Sequence, residues 1–407
     1  MNRKKYLLVP GNNALSHVAK CLALSEALIE RGHEARIAVS RKHSAFLTRL
    51  SIEHFVLPDI QENDDSGFPS VEWFRDPRRI AACIHAEVSL LREYRPDRVL
   101  GVFRFTLKAS AAIAGVPVDS LICGCMTPVS EDVLGFAEDE PGRDMQRIIL
   151  DGFFRYAGSK LGASITAFGL PKSNGDIRNS LLGERTFLWD FPEFAPLRQR
   201  KDLLHVGPIS WNRWPADPVD IDLLLAGGQP LAVVAFGTCT VSFTPVLRIV
   251  QLLLDRGYTV LLAGGGQKEF LGCVPADPRV VSMTFAPLAA ILPHASLVVT
   301  HGGQLTVFES LQNRIPVIVM PFQPEQAHSG VCLERMGCGL RLIPPQPFQG
   351  NPQIYMEALE RMSDDEVHVR ISSLLVKSGL SGQLLQAQTT LARYGGVTAL
   401  ATALTES

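Results

Sequence analysis

The sequence predicts an α/β protein built on two parallel sheets, and three observations predict it. Short apolar, β-branched runs alternate with amphipathic helical stretches along the whole chain, the pattern of parallel strands covered by helices. With 407 residues and about 150 residues per domain, there is room for two such sheets. A proline-rich polar stretch, His205–Asp222 with Gly207-Pro208, Trp214-Pro215 and Asp217-Pro218, divides the chain near its middle.

In the first half, Lys5–Pro10 reads as a buried strand and Gly11–Leu15 as the loop after it. From Val18 to Arg31 apolar residues fall at 18, 21, 22, 28 and 29, one face of a helix. Ser16 is its expected N-cap and Gly32 its stop. Glu34–Val39 resumes as a strand, and further units follow at Arg98–Val102, Thr106–Ala114 and Val116–Ile122. Beyond the connector the strands expected are Pro230–Phe236, Thr259–Ala263, Val280–Met283, Ser296–Thr300 and Pro316–Met320. The last stretch, Leu384–Leu404, has a helical pattern apart from Gly395-Gly396.

Composition removes several function classes. Charged residues are 20% and apolar residues 46%, with a net charge of −2, so neither half carries the basic field that nucleic-acid binding requires. No run approaches the length of a spanning helix. The apolar start, Tyr6-Leu7-Leu8-Val9 before Pro10, is too short for a signal peptide. The eight cysteines sit mostly in apolar stretches. Cys123 and Cys125 lack a second paired cluster, so zinc is not expected and a cytoplasmic protein with reduced thiols is.

In open parallel sheets ligands bind at the carboxyl ends of the strands. The segment Leu297-Val298-Val299-Thr300-His301-Gly302-Gly303-Gln304-Leu305-Thr306-Val307-Phe308-Glu309 places a strand end, two glycines and a helix start in succession. Glycines let backbone approach a ligand, and the new helix presents unpaired amides and a positive dipole end to an anion. His301 can donate to a phosphate oxygen, Thr306 adds a hydroxyl, and Glu309 can accept from a ribose diol. Neighbouring loops supply more partners: Gly237 and Thr238 after one strand, Phe285 after another, and Glu325-Gln326 after a third. Taken together they offer contacts for base, ribose, diphosphate and sugar hydroxyls.

Phe285-Ala286-Pro287, Leu292, His301-Gly302-Gly303-Gln304-Leu305-Thr306, Glu309, Pro316, Pro321 and Glu325-Gln326 resemble the donor signature of the UDP-glycosyltransferase superfamily. The stretches 291–303 and Met336-Gly337-Cys338-Gly339-Leu340 resemble its bacterial natural-product branch. The resemblance implies the GT-B architecture of two facing Rossmann-like domains with a cleft between them. It assigns residues 1–205 to an acceptor domain, 206–222 to a linker and 223–384 to a donor domain, with a terminal helix about 385–407 packing back on the first. It implies that His301 and the amides of Gly302 and Gly303 hold the diphosphate with Thr238 and Thr306, and that Phe285 stacks on the base. Glu309 then binds the ribose, and Glu325 and Gln326 the transferred sugar. Leu305 stands where the family usually has glycine, and Ser329 where it often has asparagine.

His17 and His33 are spaced as the family spaces its catalytic histidine and the Arg-Gly-His that closes the first helix, so His17 resembles the general base. Ser16 and Lys20 replace the family's usual glycine and proline. The aspartate that often orients the histidine aligns with Val102. Either Asp119, Glu131 or Asp132 replaces it, or the acceptor is acidic enough to need little help. Asp220-Ile221-Asp222 reads as charge at a helix start rather than a metal pair.

The resemblance therefore implies an inverting, metal-independent transferase moving a sugar from a UDP- or dTDP-sugar to a small, mostly apolar acceptor, a natural product or lipid-like molecule. It needs no cofactor beyond the nucleotide sugar. The acceptor is expected on the first half, including Cys123–Gly135 and the Trp73-Phe74 loop. The alternative is a catalytically impaired relative that binds nucleotide sugar and assists a partner transferase. The sequence leaves the oligomeric state, a homodimer included, undecided.

Overall fold

The computed structural model describes residues 3–62, 70–172, 175–198, 200, 202–216, 218–237, 243–264, 273–348 and 353–406. The chain forms two compact units, one of Met1–Asp132, Asp144–Trp211 and Tyr394–Ser407, the other of Val133–Arg143 and Asn212–Arg393. Among the described residues no helix is long and apolar enough to cross a membrane.

The first unit holds seven parallel strands: β1 (Lys5–Pro10), β2 (Glu34–Val39), β3 (His54–Val56), β4 (Arg98–Val102), β5 (Val118–Ile122), β6 (Arg185–Leu188) and β7 (Leu203–His205). Their order across the sheet is β3-β2-β1-β4-β5-β6-β7. Leu7, Val9, Val99 and Leu107 are among the side chains buried against its strands, as expected of strands covered on both faces. The chain returns at its end to this unit. Helix Gly396–Thr405 packs on helix Leu15–Glu30, and its last carbonyls are held by Tyr6 Oη on Leu404 (3.0 Å) and Arg185 on Ala403 (2.7 Å). A guanidinium there also complements the negative end of the helix.

The second unit holds β8 (Leu231–Ala235), β9 (Thr259–Ala263), β10 (Val280–Met283), β11 (Ala295–Thr300), β12 (Val317–Val319) and β13 (Gly339–Arg341), in the order β10-β9-β8-β11-β12-β13. The order reverses between β8 and β11, which is the switch point where open sheets take ligands.

The short strands β3, β6, β7 and β13 have no counterpart in the sequence reading. Each has three or four residues and a charged or histidine member, so neither alternation nor an apolar run marks it. The unit boundaries also differ from the sequence expectation. The first unit runs on to Trp211, takes back only Tyr394 onward, and gives up Val133–Arg143. Arg341, 5% exposed, holds that segment in the second unit. It donates to the Gly135 carbonyl (2.9 Å), Glu140 (2.6 Å) and Glu334 (2.7 Å). Replacing Arg341 by methionine is expected to destabilise the second unit by about 2 kcal/mol and to open residues 133–143 to proteases. Thermal unfolding and limited proteolysis read both.

Candidate active site

The loop expected to receive the donor turns on two glycines, the first of which leaves no room for a side chain. Gly302 sits at φ +97°, and a Cβ there would lie 2.5 Å from the Gln326 carbonyl oxygen and 2.8 Å from Val319 Cγ1. A Cβ on Gly303 would lie 2.5 Å from His301 Nε2. Gly303 is also the N-cap of helix Gln304–Gln312 and supplies no side-chain cap, so the first amides of that helix depend on another acceptor. Thr300 pairs in register with Ala235 and with Val319, which brings the three following loops side by side. Accordingly Gly237 lies beside the His301 ring, 3.5 Å from Cε1 to the position of a Cβ, and Phe236 stands 6.4 Å from that ring centre to centre.

Burial pushes His301 down to about 4, with the Ala235 backbone pulling weakly the other way. The imidazole is therefore neutral near pH 7 and offers one N–H dipole, not a charge. The anion-attracting elements of the loop are the amides and the helix end.

The other residues expected at the donor take different positions. Thr306 and Glu309 are half-buried on helix Gln304–Gln312, and Glu325 is half-buried in the first turn of helix Pro324–Met336. Gln326 is buried, and its Oε1 accepts from the Phe322 amide at 2.9 Å, so that oxygen is committed to the loop itself. Phe285, half-buried, follows the edge strand β10. Thr238 lies outside the described residues. Asp220 caps its helix by accepting from the Leu223 amide (3.0 Å); with Asp222 in the first turn, the pair is helix-start charge.

In the first unit, helix Leu15–Glu30 begins two residues earlier than its sequence suggests. Ala14, in extended conformation, is the N-cap, so Ser16 is not, and His17 belongs to the first turn. His17 is 6% exposed. Its ring lies 5.3 Å from Phe103 and 5.6 Å from Trp189, centre to centre, tilted 30° and 43° to them. Burial, then Lys20 and His43, push its pKa well below the ordinary value, and the Gly11 backbone opposes them weakly. Lys20 Nζ lies 4.4 Å over the Trp189 ring and donates to the Ser16 carbonyl at 3.4 Å.

Val102 is fully buried at the end of β4, where its carbonyl accepts from the Gly11 amide (2.8 Å). Its apolar side chain offers no acid at the strand end where the resemblance expects an aspartate. Of the proposed substitutes, Asp119 is excluded. Fully buried, it takes Arg98 (2.9 Å) and Arg185 (2.7 Å), and through Arg185 it helps anchor the returning helix. Glu131 pairs with Arg198 at 3.1 Å. Asp132, half-buried, ends the unit's first segment. Among the described residues none of these carboxylates reaches the imidazole, and His17 Nδ1 is buried without a hydrogen-bond partner.

One further expectation changes. Trp73 and Phe74, each 1% exposed, are core residues, with Phe74 edge-on to Phe105 and Phe153. His33 is buried and accepts from the Lys4 amide at 3.2 Å.

Sequence reasoning missed a buried polar network beneath this loop. Arg104 Nε donates to Glu87 (2.7 Å), and its Nη groups donate to Asp59 and to the Pro58 carbonyl (2.6 Å). Glu87 also accepts from Thr106 (2.7 Å) and Ser110 (2.5 Å), and Asp59 from the Asn12 amide (3.2 Å). Ser40 bonds Asn12, and His43 contacts the Asn12 carbonyl (3.2 Å). One signal existed: Glu87 falls on the apolar face of helix Pro77–Tyr94 with Ile80, Cys83, Ile84 and Leu91.

Comparison with known proteins shows what the chain resembles. Residues 246–341 match the glycosyltransferase family 28 C-terminal domain. A "PGL/p-HBAD biosynthesis rhamnosyltransferase" of Mycobacterium bovis is 24% identical over 84% of this chain and 77% of its own length. "Demethyllactenocin mycarosyltransferase" of Streptomyces fradiae is 32% identical over 29% of this chain and 26% of its own. Among solved structures, the glycosyltransferase of kitacinnamycin superposes with a TM-score of 0.74 at 18% identity, covering 100% of this chain and 99% of that one. Spinosyn rhamnosyltransferase SpnG complexed with thymidine diphosphate gives 0.70 at 17% identity, covering 98% and 99%. The chain is a glycosyltransferase of the GT-B fold, and its residues 246–341 match the family 28 C-terminal domain.

Proposed function

We propose that the chain moves a sugar, with inversion, from a UDP- or dTDP-sugar to a small, mostly apolar acceptor of the natural-product or lipid-like kind. The single observation that carries the donor side is the pair Gly302-Gly303, set at the start of an uncapped helix beside the sheet's switch point. The thymidine diphosphate in a structure of the same fold supports this reading. In it, the amides of Gly302 and Gly303 with Gly237, His301, Thr238 and Thr306 receive the diphosphate, Phe285 the base, Glu309 the ribose, and Glu325 and Gln326 the sugar. The loop amides and helix dipole stabilise the charge that develops on the departing diphosphate, so this step needs no metal.

His17 takes the proton of the acceptor hydroxyl. The acceptor oxygen attacks the anomeric carbon as the bond to the β-phosphate oxygen breaks, and the electron pair leaves with the nucleoside diphosphate. Because its pKa is depressed, His17 stays neutral below the ordinary histidine value of about 6.5. Transfer is therefore expected to persist, with little loss, at a pH where an ordinary histidine would be protonated; a pH–rate profile checks this.

One observation favours a second reading. Val102 leaves His17 without an acidic partner, which fits a nucleotide-sugar-binding protein that assists another transferase. Incubation with UDP- and dTDP-hexoses and an acceptor panel separates the two. Release of nucleoside diphosphate with a matching gain in acceptor mass supports transfer. Nucleotide binding without turnover supports the auxiliary role.

A further inference from the structure

Helix Arg143–Thr166, which belongs to the first unit from Asp144 onward, is apolar on both faces. Leu150, Phe153, Phe154, Ala157 and Leu161 are buried on its inner side. Its outer side carries Met145, 60% exposed, Ile148, 65%, and Tyr156, 39%, with half-buried Ile149 beside them. At 3.6 residues per turn these four fall on one side, centred on Gly152. Large apolar side chains turned to solvent over about three turns form a surface that a single copy leaves uncovered.

Gly152 is a second, independent observation. A Cβ on Gly158, on the inner side, would collide with the Gly175 carbonyl, whereas one on Gly152 would meet nothing within 4 Å. The interior thus explains the first glycine. Among the described residues none packs against the second, which stands mid-helix where glycine costs backbone entropy. It leaves the centre of the apolar stripe bare, so that another helix can come close.

The charges beside the stripe select the occupant. Arg155 is exposed, and its Nε donates to the Asp151 carbonyl at 3.2 Å. The Asp151 side chain is 43% exposed and lies 3.9 Å from Arg178, which pairs more closely with Asp176 (2.6 Å). When two copies of the helix cross antiparallel at Gly152, heights along the axis are reversed in the second copy. Arg155, three residues after the crossing, then lies beside Asp151 of the other copy, one residue before it, and two-fold symmetry repeats the pair. On the opposite flank Tyr156 of each copy covers Met145 and Ile149 of the other. An anionic bilayer suits this pattern less well, because Asp144 and Asp151 share one flank of the stripe.

We propose that the outer face of helix Arg143–Thr166 is the interface of a two-fold symmetric homodimer, in which the helix crosses its own copy antiparallel at Gly152. The interface is self-complementary in shape and charge, as an isologous contact must be. It holds whether or not the chain transfers sugar.

Sedimentation velocity of the full chain over a concentration series is the test. Wild type is expected to pass from one to two chain masses as concentration rises. Ile148→Arg should weaken association by roughly tenfold or more, since each dimer carries the change twice. Gly152→Leu should weaken it similarly, with a thermal midpoint no lower than wild type's, because the position is open within one chain. Arg155→Asp should weaken it through like charges, and Asp151→Arg added to it should recover most of the loss. Wild type that stays at one chain mass overturns the proposal, as does a dimer that Ile148→Arg and Gly152→Leu leave unchanged. Failure of the double charge exchange to recover association overturns the antiparallel crossing. A chain that stays single yet sediments with phosphatidylglycerol vesicles assigns the face to a membrane and overturns the dimer.

Discussion

His17→Ala is expected to lower sugar transfer by about 10²–10⁴-fold, the usual worth of a positioned general base, while the Kd for the donor stays unchanged. The proposed donor loop belongs to the second unit and His17 to the first, so the substitution leaves the proposed donor residues intact. The imidazole is neutral for a physical reason, since burial and the Lys20 charge hold its pKa down; it is therefore in the form that accepts a proton. Stopped assays of diphosphate release, with calorimetric titration of dTDP, read the two quantities separately. A drop in transfer matched by an equal drop in donor affinity would assign His17 a structural role.

Arg104→Met is expected to destabilise the first unit by about 3–5 kcal/mol, the range for removing one partner of a buried ion pair. Burial works against the guanidinium charge, but Asp59 and Glu87 more than offset it and raise the Arg104 pKa. Deleting the cation leaves two carboxylates, each at most 2% exposed, without their counter-charge. Thr106, Ser110 and the amides of Asn12 and Gln61 still donate to them, which places the loss within that range and not beyond it. Denaturant unfolding monitored on the first unit measures it. Glu87→Gln is expected to cost less, because the amide retains the shape and the Thr106 and Ser110 hydroxyls can donate to its oxygen.

The contrast between what was legible in the sequence and what was not follows from the range of the interactions. The strands Lys5–Pro10, Thr259–Ala263 and Val280–Met283 appear with the bounds their apolar runs suggest, because a buried strand declares itself locally. The glycine turn between β11 and the helix after it was legible for the same reason. A strand end, two glycines and a helix start are adjacent in sequence, and their close packing against Gln326 and His301 explains why those residues are glycine. The Arg104 network was not legible as a unit, because bonded partners lie as much as 47 residues apart and only Glu87, on the apolar face of its helix, hints at burial. Asp119 misled for the opposite reason. It is an acid near the right strand, but only the fold reveals that Arg98 and Arg185 already hold it. The segment Val133–Arg143 belongs to the second unit through Arg341, more than 190 residues away in sequence, and no local pattern announces that.

The most direct test of the donor site is titration of the full chain with dTDP and UDP, alongside the Gly302→Ala variant. A methyl group there meets the Gln326 carbonyl and forces a side chain into a left-handed conformation. The account predicts saturable binding of at least one nucleotide to wild type and a loss of roughly tenfold or more in Gly302→Ala, with the first unit's unfolding transition unmoved. Absence of binding by wild type, or equal affinity in the variant, would contradict it.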